Sequence, residues 1–153
     1  MSNSRKKKLV KIMVFGTFDG LHPGHLNFFQ QAKKLVPPKD GQSKKSLKSF
    51  LIVSIARDRN VFKIKKRFPV LNEQKRKNLV KKCKLVDKVV LAGVKNHLPH
   101  IIKERPEIIA LGYDQRAYVK NLKKDLRGRG LSVKIVRLQP YKEGIYKNSL
   151  LGN

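Results

Sequence analysis

Gly16-Thr17-Phe18-Asp19-Gly20-Leu21-His22-Pro23-Gly24-His25 is the stretch that decides the reading of this chain. It follows the apolar run Leu9-Val10-Lys11-Ile12-Met13-Val14-Phe15, which has the composition of a buried strand. It precedes Leu26, Phe28, Phe29, Ala32, Leu35 and Val36, whose spacing predicts a helix ending at about residue 36. The decapeptide is therefore a tight strand-to-helix turn with glycines at its bends. Such a turn aims backbone N–H groups and the positive end of a helix dipole at whatever lies above the strand, which favours phosphate.

His22 and His25 set the chemistry. They are three residues apart, so both can lean the same way from the start of the helix. Pro23 suits the first helical turn, where its missing N–H is not needed. Gly24 has no Cβ and leaves room for a phosphate to approach the backbone. Imidazole N–H groups donate to phosphate oxygens, and protonation would add positive charge. Two such donors suit a pentavalent phosphorus and a departing pyrophosphate. A metal pair is the competing reading, but apart from Asp19 no third ligand stands at a usual spacing. His97 and His100 lie in a helical stretch with no such context and read as ordinary histidines.

The chain has 153 residues, enough for one domain with a sound core and too few for two. Residues 1–8 read as a flexible basic tail and 9–153 as the domain. No apolar run reaches membrane-spanning length, and the basic N-terminus lacks the apolar segment of a secretory signal. The single Cys83 cannot form an internal disulfide, which fits a reducing, cytoplasmic setting. The net charge is +27. That predicts non-specific attraction to polyanions, including RNA. The basic residues are spread over nearly every segment, and neither a zinc-finger spacing nor an aromatic RNA-binding signature is present, so the charge modifies the reading of the turn without replacing it.

Along the chain, apolar strands alternate with helices. Strand two is Phe50-Leu51-Ile52-Val53-Ser54-Ile55-Ala56, reached by a polar loop that Pro37-Pro38 opens. A basic stretch follows, from Arg57 through Lys66 and Arg67, broken by Phe68-Pro69-Val70. Asn72 can cap a helix over about 73–84. Strand three is Lys88-Val89-Val90-Leu91, strand four Ile108-Ile109-Ala110-Leu111 and strand five covers 131–138, with helices at about 97–104 and 116–126 between them. Strands apolar on both faces imply a parallel sheet covered on both sides, a doubly wound α/β fold. Ligands in such sheets sit where the strand order reverses. In the order 3-2-1-4-5, strands one and four meet at that switch, so Gly16-Thr17-Phe18-Asp19 and Gly112-Tyr113-Asp114-Gln115 should border one crevice. Asp114 and Gln115 could bind base, ribose or acceptor, and Tyr113 or Tyr141 could stack on a flat ring. Lys63 and Lys65 could close over a triphosphate as mobile cations, or could be two of many surface lysines.

The turn resembles the signature of the cytidylyltransferase-like nucleotidyltransferases: Gly-Thr-Phe-Asp, two residues, then His-x-Gly-His. The resemblance extends over nearly the whole chain after the tail and implies a Rossmann-like five-stranded sheet. It implies that Thr17, Phe18, His22, Pro23, Gly24 and His25 hold the nucleotide, with His22 and His25 on the reacting phosphates. It favours Lys63 and Lys65 as catalytic cations and offers Arg76 as a further candidate, its other reading being a solvated helix face. The family closes its site with hydroxyl-bearing residues at a final helix. Here Ser149 keeps a hydroxyl, Asn148 and Leu150 depart from the pattern, and the segment leaves room for at most a turn of helix.

Within the family, Pro106-Glu107-Ile108-Ile109-Ala110-Leu111-Gly112-Tyr113-Asp114-Gln115, Pro140-Tyr141-Lys142 and Tyr146-Lys147-Asn148-Ser149 are similar to archaeal-type FAD synthetases. The glycerol-3-phosphate cytidylyltransferases usually carry Trp where Gln115 stands. The resemblance thus implies transfer of AMP from ATP to FMN, assisted by a divalent cation, Mg²⁺, held mainly by phosphates and not by a protein metal site. A homodimer is common in the family. The rival expectations are a CTP-dependent enzyme acting on glycerol 3-phosphate or another polyol phosphate, a pantetheine-phosphate adenylyltransferase-like enzyme, and a non-catalytic basic protein that binds nucleotide or RNA on the same fold.

Overall fold

The computed structural model describes residues 8–37, 46–115 and 121–141. Its elements are β1 (Lys8–Gly16), α1 (Pro23–Lys33), β2 (Leu47–Ile55), α2 (Asp58–Lys65), α3 (Glu73–Lys81), β3 (Lys88–Leu91), α4 (Leu98–Glu104), β4 (Ile108–Leu111), α5 (Leu122–Gly128) and β5 (Lys134–Arg137). The strands form one sheet in the order β3-β2-β1-β4-β5. Every pairing is parallel, from Lys8↔Leu47 and Gly16↔Ile55 on one side of β1 to Ile12↔Ile108 on the other.

Alternation along the central strands divides the core into two layers. Ile12, Val14, Leu51 and Val53 face one side and pack with Phe29 and Ala32 of α1 and Val80 of α3. Met13, Phe15 and Ile52 face the other and pack with Ile101 of α4 and Leu122 and Leu126 of α5. A strand buried on both faces cannot alternate apolar with polar, which is why the centres of β1 (Ile12 to Phe15) and β2 (Phe50 to Val53) read as unbroken apolar runs. Truncating a side chain as enclosed as Phe29, fully buried against Phe18, costs about 3–5 kcal/mol.

β2 begins at Leu47, α3 ends at Lys81 and β5 is Lys134–Arg137, each a few residues from expectation, and three further differences have a visible cause. Lys8, assigned to the tail, is the first residue of β1, and its N–H donates to the Ser46 carbonyl at 3.0 Å. α1 stops at Lys33, because Pro37 and Pro38 disfavour helical backbone ahead of them. Leu35 and Val36 still pack on the core from the turn that follows. The basic stretch after β2 is a helix, α2. It carries only three apolar residues, Val61, Phe62 and Ile64, and only Val61 is buried. Interactions with the start of α3, described below, hold it.

Candidate active site

The signature turn leaves β1 at Gly16, whose carbonyl accepts from Ala56 N at 2.9 Å and so ties the turn to the end of β2. A Cβ at Gly16 would lie 2.6 Å from the Phe18 ring. That ring folds back over the strand because Phe18 adopts left-handed backbone, φ 53°. The strain, about 1–2 kcal/mol for a side-chain-bearing residue, is offset by burial. Phe18 packs against Phe29 at 5.3 Å and edge-on to His25 at 5.2 Å between ring centroids. Phe18 thus supports the histidine from below, with little of its side chain left for a ligand.

His22 and His25 cap α1 reciprocally. Nδ1 of His22 accepts from Gly24 N at 3.0 Å and from His25 N at 3.4 Å. Nδ1 of His25 accepts from His22 N at 3.3 Å. The rings stack with centroids 3.8 Å apart. Because each Nδ1 uses its lone pair on a backbone donor, the hydrogen-bond network assigns the ring proton to Nε2 in both residues. Burial pushes His25 down to about 4, reinforced by the neighbouring His22 and opposed by the Gly20 backbone. Burial also lowers His22, against a backbone hydrogen bond. Both imidazoles are therefore neutral Nε2–H donors at neutral pH. This corrects two expectations. The first-turn N–H groups of Gly24 and His25 already donate to His22, so the helix end reaches a ligand through the imidazoles. The pair adds dipoles and not charge.

Around this pair lies an open cavity of about 780 Å³ at the carboxyl ends of β1 and β4. Thr17, Phe18, Asp19, His22, Gly24 and His25 form its floor, and Asp114, Gln115 and Tyr141 stand across from them. The two strand exits do border one crevice. Gln115 bridges them: its Oε1 accepts from Gly112 N at 2.8 Å and its Nε2 donates to the Phe15 carbonyl at 2.7 Å. Tyr113 is also on the wall. Pro23 starts α1 but does not line the cavity. Ser149, Asn148 and Leu150 lie outside the described residues.

Lys63 and Lys65 sit in the last turn of α2, on a helix and not on a loop. Lys65 lines the cavity and Lys63 does not. Arg67, the end of the basic stretch, and Phe68, Pro69 and Val70, where sequence reasoning saw only a break, complete this wall. Asp19 holds that segment, accepting from Val70 N at 2.7 Å and Leu71 N at 2.8 Å.

Arg76 is neither on a solvated face nor open to a ligand. Its side chain has no exposed surface. Nε donates to the Leu71 carbonyl, Nη1 to the Thr17 carbonyl at 2.8 Å and Nη2 to Asp58 at 2.6 Å. It fixes the signature turn from behind. Asp58 and Glu73 complete the anchor, each accepting from the other's backbone N–H, while Arg57 joins Glu73 at 3.0 Å and donates to the Ala92 carbonyl. Sequence reasoning missed this network, because all its partners except Arg76 and Leu71 lie 15 or more residues apart.

His97 and His100 are also more enclosed than expected. His100 Nε2 is 2.9 Å from Ser54 Oγ, and its ring meets Phe15 edge-on. Burial lowers both, His100 to about 4. Among the described residues no three His, Cys, Asp or Glu side chains are grouped to hold a metal, and no helix is long and apolar enough to cross a membrane.

The pattern of the family described as cytidylyltransferase-like matches residues 13–148. A protein of Korarchaeum cryptofilum named FAD synthase is 46% identical over 128 residues, which are 84% of this chain and 80% of that protein. The FAD synthase of Archaeoglobus profundus is 38% identical over 141 residues, 92% of this chain and 82% of its own. Among solved structures, the lipopolysaccharide core biosynthesis protein of Thermoplasma volcanium is similar with a TM-score of 0.73 and 31% identity, over 87% of this chain and 98% of that one. The signature turn, the strand order and these similarities agree: the chain belongs to the cytidylyltransferase-like family.

Proposed function

We propose that this protein is an FAD synthase, an adenylyltransferase that moves AMP from ATP to the phosphate of FMN and releases pyrophosphate. The stacked histidine pair at the head of α1 carries the reaction class. The acceptor is supported by relatives named FAD synthase at 38–46% identity over most of the chain.

The chemistry follows from the parts. An oxygen of the FMN phosphate attacks the α-phosphorus of ATP in line. The bond from that phosphorus to the bridging oxygen breaks, and its electron pair leaves with pyrophosphate. A phosphate monoester is already largely ionised at neutral pH, so no general base is required. The protein contributes position and charge stabilisation. Nε2–H of His22 and of His25 donate to the phosphate oxygens where charge builds. Each first-turn N–H that donates to Nδ1 polarises the ring, so the helix end acts on the phosphates through His22. Lys65 offsets charge from the α2 side, and Asp114 and Tyr141 bind the nucleoside.

Asp19 uses both carboxylate oxygens on Val70 and Leu71, which makes it a poor ligand for a cation. That fits a divalent ion held by the phosphates, with Asp114 the other carboxylate that lines the cavity. Such an ion would stabilise charge on the leaving pyrophosphate.

Label tracing tests the reading. Label at the α-phosphorus of ATP should appear in FAD, and label at the γ-phosphorus in pyrophosphate. Absence of the α-label from FAD would contradict it.

A further inference from the structure

Phe62 and Phe68 are the most conspicuous feature the reaction does not use. Their rings stack with centroids 4.6 Å apart and an interplanar angle of 27°. Both are exposed, 43% and 63%, and Ile64 and Val70 beside them are more so. Two stacked rings left in water suit a ligand better than a core. The left-handed turn at Lys66, φ 62°, brings Phe68 back over α2. Asp19, through its hold on Val70 and Leu71, fixes the segment to the turn that carries His22 and His25. Phe68 lines the active-site cavity, and so do the cations Lys65 and Arg67.

We propose that Phe68, backed by Phe62, is the platform on which the flat ring of the acceptor lies. The inference rests on the reading of the acceptor as FMN. The two ends of the cavity differ in chemistry. The end formed by Asp114, Gln115 and Tyr141 presents a carboxylate and a phenol, braced by the Gln115 amide that Gly112 and Phe15 hold, and these suit a nucleobase with hydrogen-bonding edges. The α2 end offers phenyl faces and cations. The isoalloxazine ring has an apolar dimethylbenzene edge and a phosphate on a flexible tether. Its ring can stack on Phe68 while Lys65 and Arg67 attract the phosphate toward the histidines. In-line attack needs the acceptor on the side of the α-phosphorus away from pyrophosphate, so the acceptor requires a wall of its own. A polyol phosphate has no ring to use this one, so the platform also selects against such acceptors.

The test compares wild type with Phe68→Ala, Phe62→Ala and Phe68→Trp in steady-state kinetics and in FMN fluorescence titrations without ATP. Phe68→Ala should raise KM for FMN about tenfold, the size of one lost aromatic stack, with KM for ATP within twofold of wild type. Phe62→Ala should move the same parameter by less. Phe68→Trp should quench FMN fluorescence on binding. An unchanged KM for FMN in Phe68→Ala, or an equal shift in KM for ATP, overturns the platform. So does loss of a dimer, seen by size exclusion, with KM for FMN unchanged, because the rings would then join two copies of the chain. Wild type that makes no FAD, while the Trp variant still quenches FMN, would sink the reaction and leave the platform standing. FAD synthesis that ignores both phenylalanines would do the reverse.

Discussion

Asp58 and Glu73 cap each other's helices: Asp58 N donates to Glu73 Oε1 at 2.9 Å, and Glu73 N donates to Asp58 Oδ2 at 3.1 Å. The first residues of α2 and α3 are thereby locked head to head. The other Asp58 oxygen takes the buried Arg76, whose guanidinium also holds the Thr17 carbonyl. The turn that carries the histidines thus inherits its position from a network on the far side of the loop.

Removing Arg76 breaks that anchor. Arg76→Ala removes the partner of Asp58 and the donors to the Leu71 and Thr17 carbonyls and should cost about 1–3 kcal/mol, read from urea denaturation midpoints. Turnover should fall as well, since the Thr17 carbonyl loses its donor. A variant as stable as wild type would show that the network does not hold the turn.

The two histidines separate by substitution. His25→Ala should lower kcat about 10²–10³-fold, the usual loss for one donor to a charge-developing oxygen, with the fold retained. His22→Ala also removes the cap of α1, worth about 1 kcal/mol. His22→Asn keeps an acceptor for the Gly24 and His25 N–H groups without the Nε2 donor. It should restore the stability and not the turnover. Near-wild-type turnover in either activity-dead candidate contradicts the assigned roles.

Acid should weaken the fold through the histidines. His25 and His100 titrate near 4 in the folded chain, against an ordinary value of 6.5. The unfolded chain therefore takes up protons first as pH falls. The stabilisation from keeping these rings neutral is complete above about pH 6.5 and is lost as pH falls toward 4. Denaturation midpoints should drop between pH 7 and 5, and His100→Gln should flatten that slope. An equally steep slope in the variant would remove His100 from the account.

Gln115 acts as a strut between strands. Gln115→Leu leaves Gly112 N and the Phe15 carbonyl without their side-chain partner and should destabilise by about 1–3 kcal/mol. Thermal or urea unfolding checks this; no loss would make the bridge incidental.

Much of this was legible in the chain because it is local. The apolar runs of β1 and β2, the Gly-to-His turn and the switch between strands one and four each follow from contiguous residues or from topology. What escaped was non-local. α2 is short, has few apolar residues and depends on Glu73, so it read only as a basic stretch. Arg76 read as either a site candidate or a solvated cation and not as a buried anchor, because its partners Thr17 and Asp58 are 59 and 18 residues away. Histidine protonation also depends on burial, which spacing does not reveal.

The most direct measurement is pyrophosphate release with Mg²⁺, comparing ATP with CTP, each with FMN and with glycerol 3-phosphate. The account predicts release with ATP plus FMN alone, with one FAD formed per pyrophosphate. Release with CTP and glycerol 3-phosphate, or silence from folded protein in all four mixtures, would contradict it.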